Sequence, residues 1–126
     1  MAITEQNPHE TIYSNVVGTL NLIEESLDYY IDKTLVVGSD KSVEFNSIYG
    51  ASKFLQEKIT LWANNQRKGK YSIIRFGNVK ETRGNVFELW QKQKAQGLPL
   101  TVTDSNMRRY FISKQQAVDY IIEAFN

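Results

Sequence analysis

Ile12, Val16, Leu20, Ile23, Leu27 and Ile31 recur at spacings of three and four residues, which puts them on one face of a helix. The segment opens on a start signal. Asn7 can cap, Pro8 suits the first helical position, and Glu10 stands three residues after the cap. Asn15, Gly18 and Thr19 form a second, small and polar face where another backbone can approach closely. Thr34-Leu35-Val36-Val37-Gly38 follows, short, apolar and without alternation, as in a strand covered on both faces of a parallel sheet.

A second helical pattern runs from Ser47 to Lys68, with Ile48, Leu55, Ile59 and Trp62 as its apolar stripe and Gly69 as its stop. Tyr71 to Phe76 predicts the next strand, and Gly77 to Asn85 a polar loop. Val86 to Gln96 predicts a third helix, Leu100 to Thr103 a short strand, and Lys114 to Phe125 a last helix with Ala117, Val118, Ile121, Ile122 and Phe125 on its apolar face. Helices alternating with strands imply an α/β architecture with a parallel sheet. Two clear parallel strands would leave long apolar edges unpaired. The chain is therefore expected to be a single partial domain over residues 1–126, part of a larger doubly wound sheet, or to cover those edges against something else.

Composition narrows the function classes. The 126 residues carry 15 Lys+Arg against 14 Asp+Glu, a net charge of +1, which provides no electrostatic footprint for nucleic acid and no polybasic membrane patch. With no cysteine and one histidine, His9, disulfides, a cysteine nucleophile and thiolate or histidine metal clusters are excluded. No apolar run approaches a membrane span and the first residues do not read as a signal peptide, so the expected location is the cytoplasm.

Two clusters carry chemistry. Tyr49 and Lys53 form a YxxxK pair one helical turn apart. A free tyrosine ionises near about pH 10, and an adjacent ammonium stabilises the phenolate, so Tyr49 could take a hydroxyl proton while hydride leaves the same carbon. Among seven tyrosines such a pair also arises by chance on a solvated helix face. Ser39-Asp40-Lys41 closes the first strand, and in open α/β sheets ligand sites gather beyond the carboxyl ends of strands. A hydroxyl, a carboxylate and an ammonium in sequence can supply a hydrogen bond, a general acid and a general base, or simply a polar turn. The second strand ends in a comparable cluster, Arg75-Phe76-Gly77-Asn78-Val79.

Taken in order, Ser39-Asp40-Lys41, Tyr49-Gly50-Ala51-Ser52-Lys53, Arg75 to Val79, Arg83-Gly84-Asn85-Val86, Thr103-Asp104 and Met107-Arg108-Arg109-Tyr110 closely resemble the extended short-chain dehydrogenases that act on nucleotide sugars. Within that superfamily the chain is most similar to the UDP-N-acetylglucosamine 4,6-dehydratases of polysaccharide biosynthesis, the inverting, C5-epimerising type included. Asn7-Pro8 and Asn15-Val16-Val17-Gly18-Thr19 with Asn21 match as well. The resemblance implies a Rossmann-like doubly wound parallel sheet, NADP or NAD as cofactor, and a UDP-sugar as substrate. It makes Tyr49 the redox base and Lys53 its partner on the nicotinamide ribose. Ser39 would bond the sugar 4-hydroxyl, Asp40 would protonate the departing 6-hydroxyl, and Lys41 would remove the C5 proton. Asn78 and Arg83 would line the sugar and cofactor pocket, and Arg109 would contact the diphosphate, a task suited to a planar guanidinium.

The chain also departs from that pattern. Its glycines, at 18, 38, 50, 69, 77, 84 and 97, nowhere give the G-x-G-x-x-G turn that holds a dinucleotide pyrophosphate. The resemblance begins near the family's fourth helix, so the sequence corresponds to an internal stretch of a chain well over twice as long. Phe45 stands for a proline, Ser47 for an asparagine, Gly38 for a serine or threonine, and Arg108 for a threonine. The readings that follow are a catalytic half completed by a cofactor-binding half or a homo-oligomer, an inactive remnant or interaction module, and a nucleotide-sugar 4-epimerase.

Overall fold

The computed structural model describes residues 2–66, 69–82 and 84–126. They group into two compact units, Met1–Phe76 with Ile121–Asn126, and Gly77–Tyr120. The first unit opens on α1 (Ala2–Gln6) and α2 (Pro8–Ile12), continues through a π-helical turn (Tyr13–Val17), and reaches α3 (Gly18–Asp28). Asn7 does not cap α2. Its side-chain amide donates back to the Ile3 carbonyl, because the chain arrives from a helix rather than from an extended segment.

The π turn changes which face is buried. It inserts one residue into the helical period, and the inward positions become Thr11, Thr19, Ile23 and Ser26, while Ile12 and Ile31 stay exposed. The small polar face of the first helix is thus the packed one. Across it lies α4 (Ile48–Ala63), started by Ser47, whose hydroxyl accepts from the Gly50 amide at 3.1 Å. Gly50, Ser52, Gln56, Glu57, Thr60 and Ala63 are its buried residues. Leu55 and Trp62, expected in the apolar stripe, are exposed instead, because α3 brings hydroxyl and amide partners rather than apolar ones. Asn15 donates to the Ser52 hydroxyl at 2.9 Å and Gln56 to the Thr19 hydroxyl at 2.8 Å. α4 also ends earlier than Gly69, at Ala63. Asn64 leaves the helix and its side chain brackets both the amide and the carbonyl of Tyr71.

The apolar part of the interface sits at the other end, where Ile23, Ala63 and Tyr71 are buried with Leu27 and Ile59 against them. The Ser26 hydroxyl reaches the phenol of Tyr71. β1 (Lys33–Ser39) and β2 (Lys70–Phe76) pair in parallel, from Lys33 opposite Lys70 to Ser39 opposite Phe76. A single turn of 3₁₀ helix, Asp40–Ser42, leaves β1 directly. Polar packing at one end of the α3–α4 pair and apolar packing at the other leave the carboxyl ends of the strands beside hydroxyls, amides and charges.

The second unit holds β3 (Asn78–Val79), α5 (Val86–Ala95) and β4 (Phe111–Ile112), with β3 and β4 parallel. The expected strand at Leu100–Thr103 does not form. The backbone of Thr101 is taken by α5 side chains: Trp90 donates to its carbonyl at 2.8 Å, and Gln93 accepts from its amide at 3.1 Å. α6 (Lys114–Phe125) has the predicted bounds, with Ala117 as its buried residue. Among the described residues no helix is long and apolar enough to cross a membrane.

Candidate functional site

The five expected catalytic residues, Ser39, Asp40, Lys41, Tyr49 and Lys53, and one more, Glu57, lie at the end of β1 and on the first turns of α4. The Ser39 hydroxyl donates to Asp40 Oδ1 at 3.1 Å, and Lys41 Nζ donates to the same oxygen at 3.1 Å. The Lys41 amide points back to Ser39 Oγ. A single carboxylate oxygen therefore holds a hydroxyl and an ammonium. Ser39 is buried; Asp40 and Lys41 are half-buried and reachable.

α4 supplies the second half of the cluster. Gly50, immediately after Tyr49, lies so close to the 3₁₀ turn that a Cβ there would stand 2.5 Å from the Lys41 carbonyl and 2.8 Å from Phe45 Cβ. That contact fixes the acid–base turn against the first turn of the tyrosine helix. Phe45, at the position where a proline was expected, stacks on Phe54 with ring centroids 5.0 Å apart and so holds the loop down by packing.

Lys53 Nζ lies 6.0 Å from the Tyr49 ring centroid, within reach of a cation–π contact. It donates to the Val37 carbonyl at 3.3 Å and to Gln56 Oε1 at 2.9 Å. Burial lowers the Lys53 ammonium below the ordinary lysine range, and the carboxylate of Glu57 pulls it partly back. A lysine tethered to strand and helix in this way keeps its charge at a fixed place beside the phenol.

Glu57, one further turn along α4, did not stand out in the sequence. It is 3% exposed and accepts from Arg75 through both oxygens, Nε to Oε1 at 2.8 Å and Nη2 to Oε2 at 2.6 Å. The Arg75 hydrogen bonds hold its carboxyl below the usual carboxylate range against the opposing effect of burial, with help from Ser42. The available signal was spacing. Tyr49, Lys53 and Glu57 recur every four residues, and a carboxylate on the face of a redox pair invites the search for a partner.

In the second unit the Asn78 amide and side chain both turn to the Tyr110 carbonyl, at 2.9 and 3.5 Å. Among the described residues Arg109 donates to the neighbouring carbonyl of Arg108, at 3.4 Å, and both arginines are exposed. Arg83 lies outside the described residues. A cavity of about 640 Å³ opens in this unit between Lys80, Asn85, Phe87 and Glu88. Among the described residues no group of carboxylates and histidine could hold a metal ion.

Residues 1–126 match a protein family described as polysaccharide biosynthesis protein. The chain is 38% identical over 97% of its length to an uncharacterised membrane protein of Methanocaldococcus jannaschii, of which it spans 38%. It is 32% identical over 98% of its length to an inverting UDP-N-acetylglucosamine 4,6-dehydratase of Campylobacter jejuni, again spanning 38% of that protein. The crystal structure of Pen from Bacillus thuringiensis superposes with a TM-score of 0.88 at 30% identity, covering 97% of this chain and 40% of that one. The chain thus spans about two-fifths of the length of these three proteins.

Proposed function

Because the chain belongs to the polysaccharide biosynthesis protein family, we propose that it carries the catalytic half of a nucleotide-sugar 4,6-dehydratase acting on a UDP-N-acetylglucosamine-type substrate. The observation that supports this most is the Asp40–Lys41 pair, seated on the helix that carries Tyr49 and Lys53. Apart from the hydride acceptor, oxidation and re-reduction of the sugar need only the tyrosine and lysine. Loss of water needs a separate acid and base, and this turn contains both.

The residues fit the ribose and nicotinamide end of a dinucleotide. Lys53 has three N–H donors, two of them held by Val37 and Gln56, which leaves the third for a ribose hydroxyl. The glycine-rich turn that holds a pyrophosphate is not in this sequence, so the cofactor's pyrophosphate falls to a separate glycine-rich half. A bound nicotinamide would accept hydride from C4 and later return it to the sugar. Tyr49, as phenolate, takes the 4-hydroxyl proton, with Lys53 Nζ 6.0 Å from its ring centroid. With C4 a ketone, the C5 proton becomes acidic.

Lys41 then removes the C5 proton while Asp40 protonates the departing 6-hydroxyl. Lys41 has to begin neutral and Asp40 protonated, and both end ionised. That end state is the ion pair at 3.1 Å. A shift of one proton from Lys41 to Asp40 across the same contact restores their starting forms, and the proton taken by Tyr49 is returned, through solvent, to C5 when hydride returns to C6. The Ser39 hydroxyl, now on Asp40 Oδ1, would turn to the sugar oxygen as the carboxyl takes up its proton.

The test uses the chain together with a glycine-rich cofactor-binding half, UDP-N-acetylglucosamine and NADP, followed by nicotinamide absorbance. Tyr49→Phe should abolish reduction of the cofactor. Asp40→Asn should retain it, accumulate the 4-keto sugar, and slow elimination by about two to four orders of magnitude. Product formation at the parent rate in Asp40→Asn overturns the dehydratase reading in favour of a 4-epimerase.

A further inference from the structure

Glu57 is buried, ionised and doubly bonded to Arg75, yet it makes no hydrogen bond to Tyr49, Asp40 or Lys41. Its remaining contacts explain its place. Ser42, the last residue of the 3₁₀ turn, puts its hydroxyl 2.5 Å from Glu57 Oε1 and 2.7 Å from the Ser39 carbonyl. With the carboxylate held ionised by Arg75, that hydroxyl has a strong acceptor for its single proton. Gly38 leaves room for the arrangement, since a Cβ there would stand 3.1 Å from Glu57 Oε1. One carboxylate thus ties together the end of β1, the turn, α4 and, through Arg75, the end of β2.

An ion pair with one partner buried and the other half-exposed adds little net stability, because desolvation of the buried carboxylate offsets most of the attraction. Its particular capacity is directional: two oxygens in a fixed plane, one of them shared with the turn. We propose that Glu57 is a positioning residue for Asp40 and Lys41, acting through the Ser42 hydroxyl, with Arg75 holding the carboxylate in register. The inference rests on the dehydratase reading, which is what assigns Asp40 and Lys41 their work, but its test does not depend on turnover.

The experiment uses the full chain, isotopically labelled. Two signals are followed: amide hydrogen exchange at residues 40–43, and the paired ε-proton resonances of Lys41, which are separate when its ammonium is held and merge when it swings free. Ser42→Ala should speed exchange at the turn by about tenfold and merge the Lys41 resonances, while exchange around Thr60 and Ala63 stays as in the parent. Ser42→Thr, which keeps the hydroxyl, should restore both signals. Glu57→Gln should loosen the turn as Ser42→Ala does, and the double variant should loosen it no further, since both act along one line. The proposal is overturned if Ser42→Ala leaves the turn unchanged, if it unfolds the whole unit, if threonine fails to rescue, or if the two effects add. Absence of keto-sugar formation in the parent would instead tell against the dehydratase reading, and the resonances would still report on the turn.

Discussion

Glu57 illustrates how a single side chain couples ionisation to stability. Its carboxyl titrates below the usual range in the folded chain, chiefly through the Arg75 hydrogen bonds, whereas an unfolded glutamate titrates near about 4.3. A group whose folded value is depressed stabilises the fold fully above its unfolded value, and that contribution is lost as pH falls through the folded one. The melting temperature should therefore hold from neutral pH to about 5 and then fall on acidification. Glu57→Gln should start lower at neutral pH and fall less steeply over the acid range. Parallel melting curves for the two chains from pH 7 to 3 would show that Glu57 does not contribute to the acid response. Arg75 belongs to the same argument. Its guanidinium is half-exposed, so it stays hydrated when Glu57 is neutralised and the unit keeps its fold.

At the scale of elements, the contact between the 3₁₀ turn and α4 carries most of the site's geometry. It depends on one missing side chain. Alanine at Gly50 would put a methyl 2.5 Å from the Lys41 carbonyl, a backbone atom that cannot rotate away. Overpacking of this sort costs about 1–3 kcal/mol, and here the turn has to lift off the helix to relieve it. Gly50→Ala is expected to lower denaturant stability by that amount and to speed amide exchange at Lys41 and Val43 more than at Ala63. A stability within experimental error of the parent would mean the turn already moves freely. Helix faces at this scale were only partly legible. The small polar face of the first helix was visible as a place for close approach, and the π turn and α3 do meet α4 there. The stripe of Leu55 and Trp62 pointed outward instead, because hydrophobic periodicity identifies a helix without saying which of two faces its neighbour will occupy.

For the whole molecule, the sparse apolar core is the dominant fact. In the first unit Ile23, Ala63 and Tyr71 are buried, whereas Leu22, Val37, Leu55, Leu61 and Trp62 remain exposed. Covering apolar surface is worth roughly 25 cal/mol per Å², so a few hundred Å² is enough to drive pairing. The isolated 126-residue chain is expected to associate at micromolar concentration in light scattering and to bind NADP weakly or not at all. Two contacts from Tyr49 and Lys53 do not offset the ordering of a large flexible dinucleotide. A monodisperse monomer that binds NADP at micromolar concentration contradicts both halves of that expectation.

Local chemistry was decided along the chain itself. The order of helices and strands, the serine start of α4, the Tyr49–Lys53 spacing and the adjacency of Ser39, Asp40 and Lys41 all depend on residues within a few positions of one another or on the period of a helix or strand. Glu57, Arg75 and Ser42 are separated by 15 and 18 residues, yet they meet at hydrogen-bond distance. So do Asn15 and Ser52, 37 residues apart. Such contacts were settled by tertiary structure alone. The π turn rotated one helix by an extra residue, the strand ends converged on α4, and the polar groups brought inside had to find partners, because an unpaired polar group out of water costs more than any helix propensity returns.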